Sequence, residues 1–382
     1  MRILHLCLSC FYIDGYNYQE NVLPRIHKED GHEVRIIAST ETYVDNVHYG
    51  YVEPSEYETE YGVPIKRLPY VSFGSHFVSK KIRKYPHLYE EIEAFAPDVI
   101  MSHALSYWSV LDVIRYKKDH PEVKFYADTH TASYNSGKNW LALNVLHRGL
   151  YRYLIQKALP HLEKFFYTGD GERQFALENY KVPESSMELY PLGGMILSDE
   201  EYAEKRARRR AELNVADDEI LLMHSGKLDA LKRTEDLLQA FAAAPGLKAK
   251  FAIIGSIPEE MKPVLEPLMA ADKRVLYLGW KTGAELQEYL CACDLYCQPG
   301  SGSATMQNAL CCSCPILLYP HDTYIRIYEY GNIIWVKTVE DMARAFQGLA
   351  DGTVDLTALQ EGSVRCAREL LDYRTLAARL YR

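Results

Sequence analysis

The stretch "PGSGSATMQNALCCSCPIL", residues 299–317, changes character twice. A polar loop with two glycines leads into a small, apolar run with helical spacing, and a short apolar strand follows. Just before it stands the β-rich run "LYCQ", residues 295–298. Strand, glycine loop, helix and strand in this order make a crossover unit, which lays two strands side by side and parallel. The start of the helix offers unpaired N–H groups and about half a positive charge, which suits an anion such as a diphosphate. The plainer alternative is an N-cap, with Ser303 or Thr305 closing the helix.

Working outward, the same alternation fills the chain. Strands are expected at 2–8, 33–38, 64–68, 98–103, 124–128 and 164–168, then at 219–224, 249–254, 274–278, 295–298, 315–318 and 333–336. Helices are expected at 19–29, 80–94, 143–158, 234–243, 283–291, 305–312 and 339–349. Strands separated by crossover helices imply parallel sheets covered on both faces. Two such blocks imply two doubly wound domains. The break falls in "YPLGGMILSD", residues 190–199, where two glycines and a proline interrupt the pattern. This gives domains of 1–192 and 193–363, with a last helix at about 364–382 crossing back to the first. The helix "EEYAEKRARRRAEL", residues 200–213, reads as a solvated charged face.

Bulk properties set limits. The chain has 382 residues, 48% hydrophobic and 25% charged, a soluble globular balance. A net charge of −9 argues against general nucleic-acid binding, which needs excess cations. No apolar run is long enough to span a bilayer, and the short N-terminal apolar run reads as a strand rather than a signal peptide. The nine cysteines lie within predicted elements. Cys7 and Cys10 have redox-motif spacing, and Cys311, Cys312 and Cys314 cluster as metal ligands do, but buried thiols in a reducing compartment are the expected reading. The 30 tyrosines suit a sugar cleft and a packed core equally.

A second cationic element supports an anion site. In "HSGKLDALKRTEDLLQAF", residues 224–241, a strand ends in a glycine, and Lys227, Lys232 and Arg233 follow. Ligands of open α/β sheets bind beyond the carboxyl ends of strands, where these residues fall.

On these residues the second half resembles the nucleotide-sugar domain of a GT-B-fold glycosyltransferase, most closely glycosyltransferase family 4 (group 1). "GKLDALK" resembles the family's pair of donor-diphosphate cations, with Lys227 where Arg is common. "LGWKTGAELQEYLCACDLYCQPG", 278–300, and "NALCCSCPIL", 308–317, resemble its next segments. In the first half "GYNYQENVLPRIHKEDGHEVRIIAS", 15–39, resembles the glycine loop and first helix of the acceptor domain. "FAPDVIMSHAL" resembles its Pro-Asp-Val-Ile strand, "FYADTHTAS" sits where the family has a histidine beside the donor sugar, and "YPLGG" resembles the hinge. One departure stands out: the family's paired glutamates are missing, and Asn308 occupies the second position. Residues 301–308 instead resemble the loop of the peptidoglycan UDP-GlcNAc transferase, whose final Glu holds the ribose. Asn308 can both accept and donate there.

The resemblance implies a metal-independent hexosyltransferase that uses a nucleotide sugar, a UDP-sugar, as substrate without a further cofactor. Transfer goes to a saccharide, lipid-linked in one reading, in surface polysaccharide assembly. The donor diphosphate would meet Gly15, Lys227, Lys232, Arg233 and the loop Gly300, Ser301, Gly302, Ser303, Ala304 and Thr305, with Asn308 on the ribose. His130 would hold the donor sugar, with Asp128 behind it. Asp14, Tyr16, Asn17 and His103 are acceptor-side candidates. In retaining enzymes of this fold the leaving phosphate takes the acceptor proton; an inverting enzyme would use Asp14 or Asp128 as base. The implied location is cytoplasmic. The basic-aromatic segment "GSHFVSKKIRKYPHLY", 74–89, would dock as an amphipathic helix on the anionic inner face of the plasma membrane, or simply form a solvated face. A non-catalytic GT-B protein binding a sugar or partner, and a sugar-nucleotide epimerase, are the rival readings.

Overall fold

In the computed structural model, residues 1–44, 48–301, 305–320 and 326–381 are described. The chain divides into two compact units, Met1–Pro191 with Tyr373–Arg382, and Leu192–Asp372.

Unit 1 carries ten strands: β1 (Arg2–Cys7), β2 (Glu33–Ser39), β3 (Glu41–Tyr43), β4 (Tyr49–Tyr51), β5 (Ser55–Glu58), β6 (Pro64–Leu68), β7 (Val99–Ser102), β8 (Lys124–Ala127), β9 (Lys164–Tyr167) and β10 (Met187–Leu189). Eight of them form one sheet in the order β10-β9-β8-β7-β1-β2-β6-β5, parallel except for β5, and β3 and β4 form a small hairpin ladder. Its helices are α1 (Gln19–Glu29), α2 (His76–Ile82), α3 (Leu88–Phe95), α4 (Val110–Asp119), a π-helical stretch Ala142–Tyr151 continuing as α5 (Arg152–Ala158), and α6 (Asp170–Phe175). Both sides of the sheet are apolar because parallel strands are covered twice: Leu4 and Leu6 face one core, while Cys7, Val34 and Ile36 face the other.

Unit 2 begins with α7 (Asp199–Glu212). It then alternates β11 (Ile220–Lys227), α8 (Thr234–Ala242), β12 (Ala249–Ser256), α9 (Lys262–Ala271), β13 (Val275–Gly279), α10 (Gly283–Ala292), β14 (Leu295–Gln298), α11 (Thr305–Cys311), β15 (Ile316–Leu318) and β16 (Ile333–Trp335). The helices α12 (Val339–Asp351) and α13 (Leu356–Cys366) follow. The six strands are all parallel, in the order β13-β12-β11-β14-β15-β16. Strand periodicity assigns the two cores: Leu221 and Met223 point to one, Leu222 to the other. Capping boxes open α7 at Ser198 and Glu201, α10 at Thr282 and Glu285, and α12 at Thr338 and Asp341.

Four expectations need correction. The helix expected over 80–94 is two, because the chain turns through left-handed backbone at Arg83 and His87 around Pro86. The segment 74–89 is therefore not one amphipathic helix. Tyr85 is 2% exposed and donates its hydroxyl to the Leu8 carbonyl. The helix expected at 364–382 is also interrupted. Its first part closes unit 2, and the backbone at Asp372 bridges Gly194 within that unit. Only α14 (Tyr373–Ala378) and the residues after it join unit 1, so the handover comes at Tyr373 rather than at 364. Finally, the charged helix α7 is not simply a solvated face. Arg206 and Arg210 clasp Asp294 at 2.5 and 2.8 Å, and Arg209 holds Glu288 at 2.6 Å.

All nine cysteines are free, and six line one apolar core: Cys291, Cys293, Cys311, Cys312, Cys314 and Cys366. Among the described residues no group of three or more His, Cys, Asp or Glu could hold a metal, and no helix is long and apolar enough to cross a membrane.

Candidate functional site

Strand order in unit 2 reverses at β11, whose neighbours are β12 on one side and β14 on the other. A crevice opens at such a switch point because the connections leave it on opposite sides. Lys227 is the exposed last residue of β11, and Pro299 and Gly300 directly follow β14. The two sequence elements chosen for a diphosphate thus come from adjacent strands.

Two glycines let them close on each other. Gly226 has φ +139, and a Cβ there would lie 3.0 Å from Cε of Lys232. Its bare backbone makes room for the Lys232 stem. At Gly300 a Cβ would come within 2.1 Å of the Leu231 carbonyl oxygen, so no side chain fits without a shift of backbone. The loop is pinned by Ser301 N–H donating to the Leu231 carbonyl at 2.9 Å and by the Lys232 ammonium donating to the Ser301 carbonyl at 3.1 Å. Lys232 is buried, and that burial lowers its pKa, with Asp229 opposing. It has donors left for an anion after serving Ser301. Underneath, His224 is fully buried between the Cys297 carbonyl (2.7 Å) and the Thr234 hydroxyl (3.0 Å), and burial holds it at about 4.

Arg233 does not join this cationic pair. Its guanidinium binds Asp236 and the carbonyls of Pro299 and Lys337, so it braces the loop's base. Ser301 and Thr305 are half-buried at the ends of the loop, and Asn308 is exposed on α11. Gly302, Ser303 and Ala304 lie outside the described residues.

In unit 1 the expected residues meet in a line of imidazoles. His130 Nε2 lies 3.5 Å from Asp128 Oδ2, which also takes His103 Nδ1 at 3.1 Å. The line continues from His103 Nε2 to His5 Nδ1 (3.1 Å), from His5 Nε2 to His27 Nδ1 (3.0 Å), and from His27 Nε2 to the Ala377 carbonyl (3.2 Å). Protons can be placed from the closed end. A carbonyl only accepts, so His27 donates from Nε2 and accepts at Nδ1. His5 then donates from Nε2, and His103 must donate from Nε2 in turn. Facing an acceptor-only carboxylate, His103 also needs a proton on Nδ1. It is therefore an imidazolium, while His5 and His27 are neutral.

The electrostatics agree. Burial pulls His27 down to about 4 and His5 well below its ordinary value. Burial would lower His103 too, but the Asp128 carboxylate outweighs it and holds His103 at about 9. Burial would raise Asp128, but His130 and His103 keep it well below the usual carboxylate range. The Asp128 carboxylate also accepts the Ala104 N–H at 3.0 Å.

Two sequence assignments change. Asp128 and His103 are both fully buried, so neither touches a ligand; they position His130, whose side chain is 31% exposed. Asp14 is exposed but engaged, ion-paired to Arg67 at 2.9 Å and accepting from the Tyr57 hydroxyl at 2.8 Å. Gly15 follows with φ +75, Asn17 is exposed, and Tyr16 meets Tyr18 edge-on and stacks with Tyr43. His5 and His27 were missed in the sequence. Their signal was a polar residue inside the apolar run "RILHLC" and another on the buried face of α1.

Residues 205–355 match the family model described as Glycosyl transferases group 1. No curated protein matches the sequence. Among solved structures, Anabaena Alr3699/HepE in complex with UDP is similar with a TM-score of 0.66 at 13% identity, covering 99% of this chain and 98% of that one. A glycosyltransferase from Rickettsia africae has a TM-score of 0.68 at 11% identity, covering 99% and 96%. WaaG, a glycosyltransferase involved in lipopolysaccharide biosynthesis, has a TM-score of 0.60 at 14% identity, covering 99% of each chain. The chain thus has the fold of the GT-B glycosyltransferases, two Rossmann-like domains, and its match to the glycosyl transferases group 1 model falls within the second.

Proposed function

We propose that the protein transfers a hexosyl residue from a UDP-sugar to a saccharide acceptor, with retention at the sugar, in surface polysaccharide assembly. The observation that carries this reading is the bond of Lys232 to the Gly300 loop at the switch point of unit 2, with Lys227 at the end of the adjacent strand. Two cations and a closely approaching backbone suit a departing diphosphate, whose charge grows as the glycosidic bond breaks. HepE has been solved with UDP and with UDP-glucose, which supports the same donor class here. Asn308, exposed on α11, serves the ribose. His130 holds the donor sugar, oriented by Asp128. Retention is favoured because Asp128 is buried and neutralised and Asp14 is bound by Arg67 and Tyr57. Neither is placed as a base, so the leaving phosphate oxygen takes the acceptor proton.

Calorimetry with UDP, GDP and ADP tests the donor class. UDP is expected to bind most tightly, and Lys227→Ala and Lys232→Ala each to weaken it by about 1.5–3 kcal/mol, the worth of a charged hydrogen bond. Unchanged affinity in both variants would remove the donor site. UDP binding without transfer to any acceptor saccharide would instead mark a non-catalytic sugar-nucleotide binder.

A further inference from the structure

Unit 1 contains a polar pocket of about 340 Å³, within the range of small-ligand sites. It opens past the carboxyl ends of β1, β7 and β8, where Ser9, Ala104 and Thr131 line it. Three cations from two segments line it: Lys81 and Arg83 at the end of α2, and Lys138 from the loop before the π-helical stretch. Among the described residues none of the three has a carboxylate partner within ion-pair distance.

Arg83 is the most informative. Its left-handed backbone turns the side chain away from α2, and Nη1 donates to the Ser106 carbonyl at 3.3 Å. Its Nε is buried without a hydrogen-bond partner. That atom is sealed from solvent, so a ligand in the pocket meets the terminal nitrogens of the guanidinium instead. Glu41, whose field acts on Arg83, gives its oxygens to the hydroxyls of Tyr51 and Tyr70 at 2.9 and 2.7 Å instead. The helix that contains Ala142–Tyr151 also starts at the pocket. Asn139 caps it by accepting the Ala142 N–H at 2.8 Å, so the helix's positive end adds to the three side chains. His147, on the same wall, is held at about 4 by burial with Lys81 and Arg83 beside it, and so is a neutral hydrogen-bonding group near neutral pH.

We infer that this pocket binds a phosphoryl group of the acceptor, so that the acceptor is a phosphorylated saccharide rather than a neutral sugar. Three cations, one of them a guanidinium, match the charge and forked geometry of a phosphate better than those of a hydroxyl. The inference rests on the reading of the protein as a glycosyltransferase with its acceptor in unit 1. The phosphoryl group belongs either to a soluble sugar phosphate or to a lipid-linked one.

The experiment first saturates the full-length protein with UDP, which occupies the donor site, and then titrates glucose 1-phosphate, inorganic pyrophosphate and glucose. The phosphorylated probes are expected to bind and glucose not to. Lys138→Glu and Lys81→Glu should each weaken the phosphorylated probes by about tenfold or more while leaving UDP affinity unchanged. Lys138 is exposed, so its replacement does not threaten folding. A parallel arm sediments the protein with phosphatidylcholine vesicles with and without phosphatidic acid. Variant-sensitive binding to glucose 1-phosphate assigns a soluble acceptor, and variant-sensitive binding to phosphatidic acid alone assigns a lipid-linked one. Binding that neither variant weakens, or no phosphate binding to the UDP-saturated protein, overturns the pocket. Failure of the wild type to bind UDP would overturn the donor reading separately, and the two lysine variants would still judge the pocket with pyrophosphate.

Discussion

At the scale of single residues, the buried histidine line turns a sequence guess into a statement about protons. "FYADTHTAS" marked His130 and Asp128, but nothing in that segment could show that Asp128 is charge-balanced from behind by a ring just past the end of the neighbouring strand β7. The neutralisation depends on His5 and His27 both keeping their protons on Nε2, a pattern set by the Ala377 carbonyl. Nitrogen NMR of the imidazoles near neutral pH should show His103 protonated on both nitrogens, and His5 and His27 neutral with the proton on Nε2. A neutral His103 would mean that the proton resides on Asp128, and the assignment would fall. His27→Ala should leave His5 without its acceptor and cost about 1–3 kcal/mol, read from chemical denaturation. At Gly300 the neighbour of a new Cβ would be backbone, not a flexible side chain. Gly300→Ala should therefore weaken UDP binding even though no hydrogen bonder is removed. Normal UDP affinity in this variant would show that the loop's close approach does not matter to the donor.

At the scale of elements, legibility followed hydrophobic pattern. Twelve strands were readable as apolar runs bounded by turns, and β6 and β14 occur with the expected limits, whereas the short strands β3, β4, β5 and β10 lack such a run and were not expected. The cations follow β11 and the glycine loop follows β14, each a local pattern after an apolar run, while the meeting of Lys232 with Ser301 depends on the pairing of those two strands. What failed depended on tertiary contacts. Pro86 warned of a break after α2, but the left-handed turns at Arg83 and His87 that aim Arg83 inward have no local signature. Nor has the interruption at Asp372, whose backbone pairs with Gly194 far away in sequence. The last ten residues are an element in their own right. The Ala377 carbonyl accepts from His27, the Leu376 carbonyl from Tyr190, and Arg379 binds the Leu189 carbonyl and Glu188, while Leu376 and Leu380 are buried. Ending the chain after Asp372 should thus expose apolar surface and leave the Tyr190 hydroxyl buried without an acceptor. Calorimetric scans should show the transition of unit 1 lowered or lost and that of unit 2 kept. An unshifted unit 1 transition would make this tail a passive appendage.

At the scale of the whole molecule, buried histidines set a pH window for stability. His27, His147 and His224 are held at about 4, and His5 is also lowered. In each case the unfolded chain binds a proton more readily than the folded one as pH falls below about 6.5. Stability therefore drops as pH falls from there toward 4. A shift of this size on a fully buried ring corresponds to something on the order of 3 kcal/mol, so His27 in unit 1 and His224 in unit 2 each carry a substantial part of the stability of a typical domain. His103 runs the other way. Held at about 9, it contributes stability that is fully present below about pH 6.5 and is lost as pH rises through 9. Asp128, with a depressed pKa, adds stability across the whole window and loses it only in strong acid. The expected profile of unit 1 is a maximum near pH 6.5, falling toward 4 as the lowered histidines resist protonation and toward 9 as the unfolded chain loses the proton that His103 keeps. Because His5, His27 and His103 belong to unit 1 and His224 to unit 2, both units should weaken in acid but only unit 1 should weaken between about pH 6.5 and 9 on this account. Melting curves that resolve the two transitions across pH provide the measurement. A unit 2 transition that is flat from pH 7 down to about 4 would show that His224 is not held neutral by its burial.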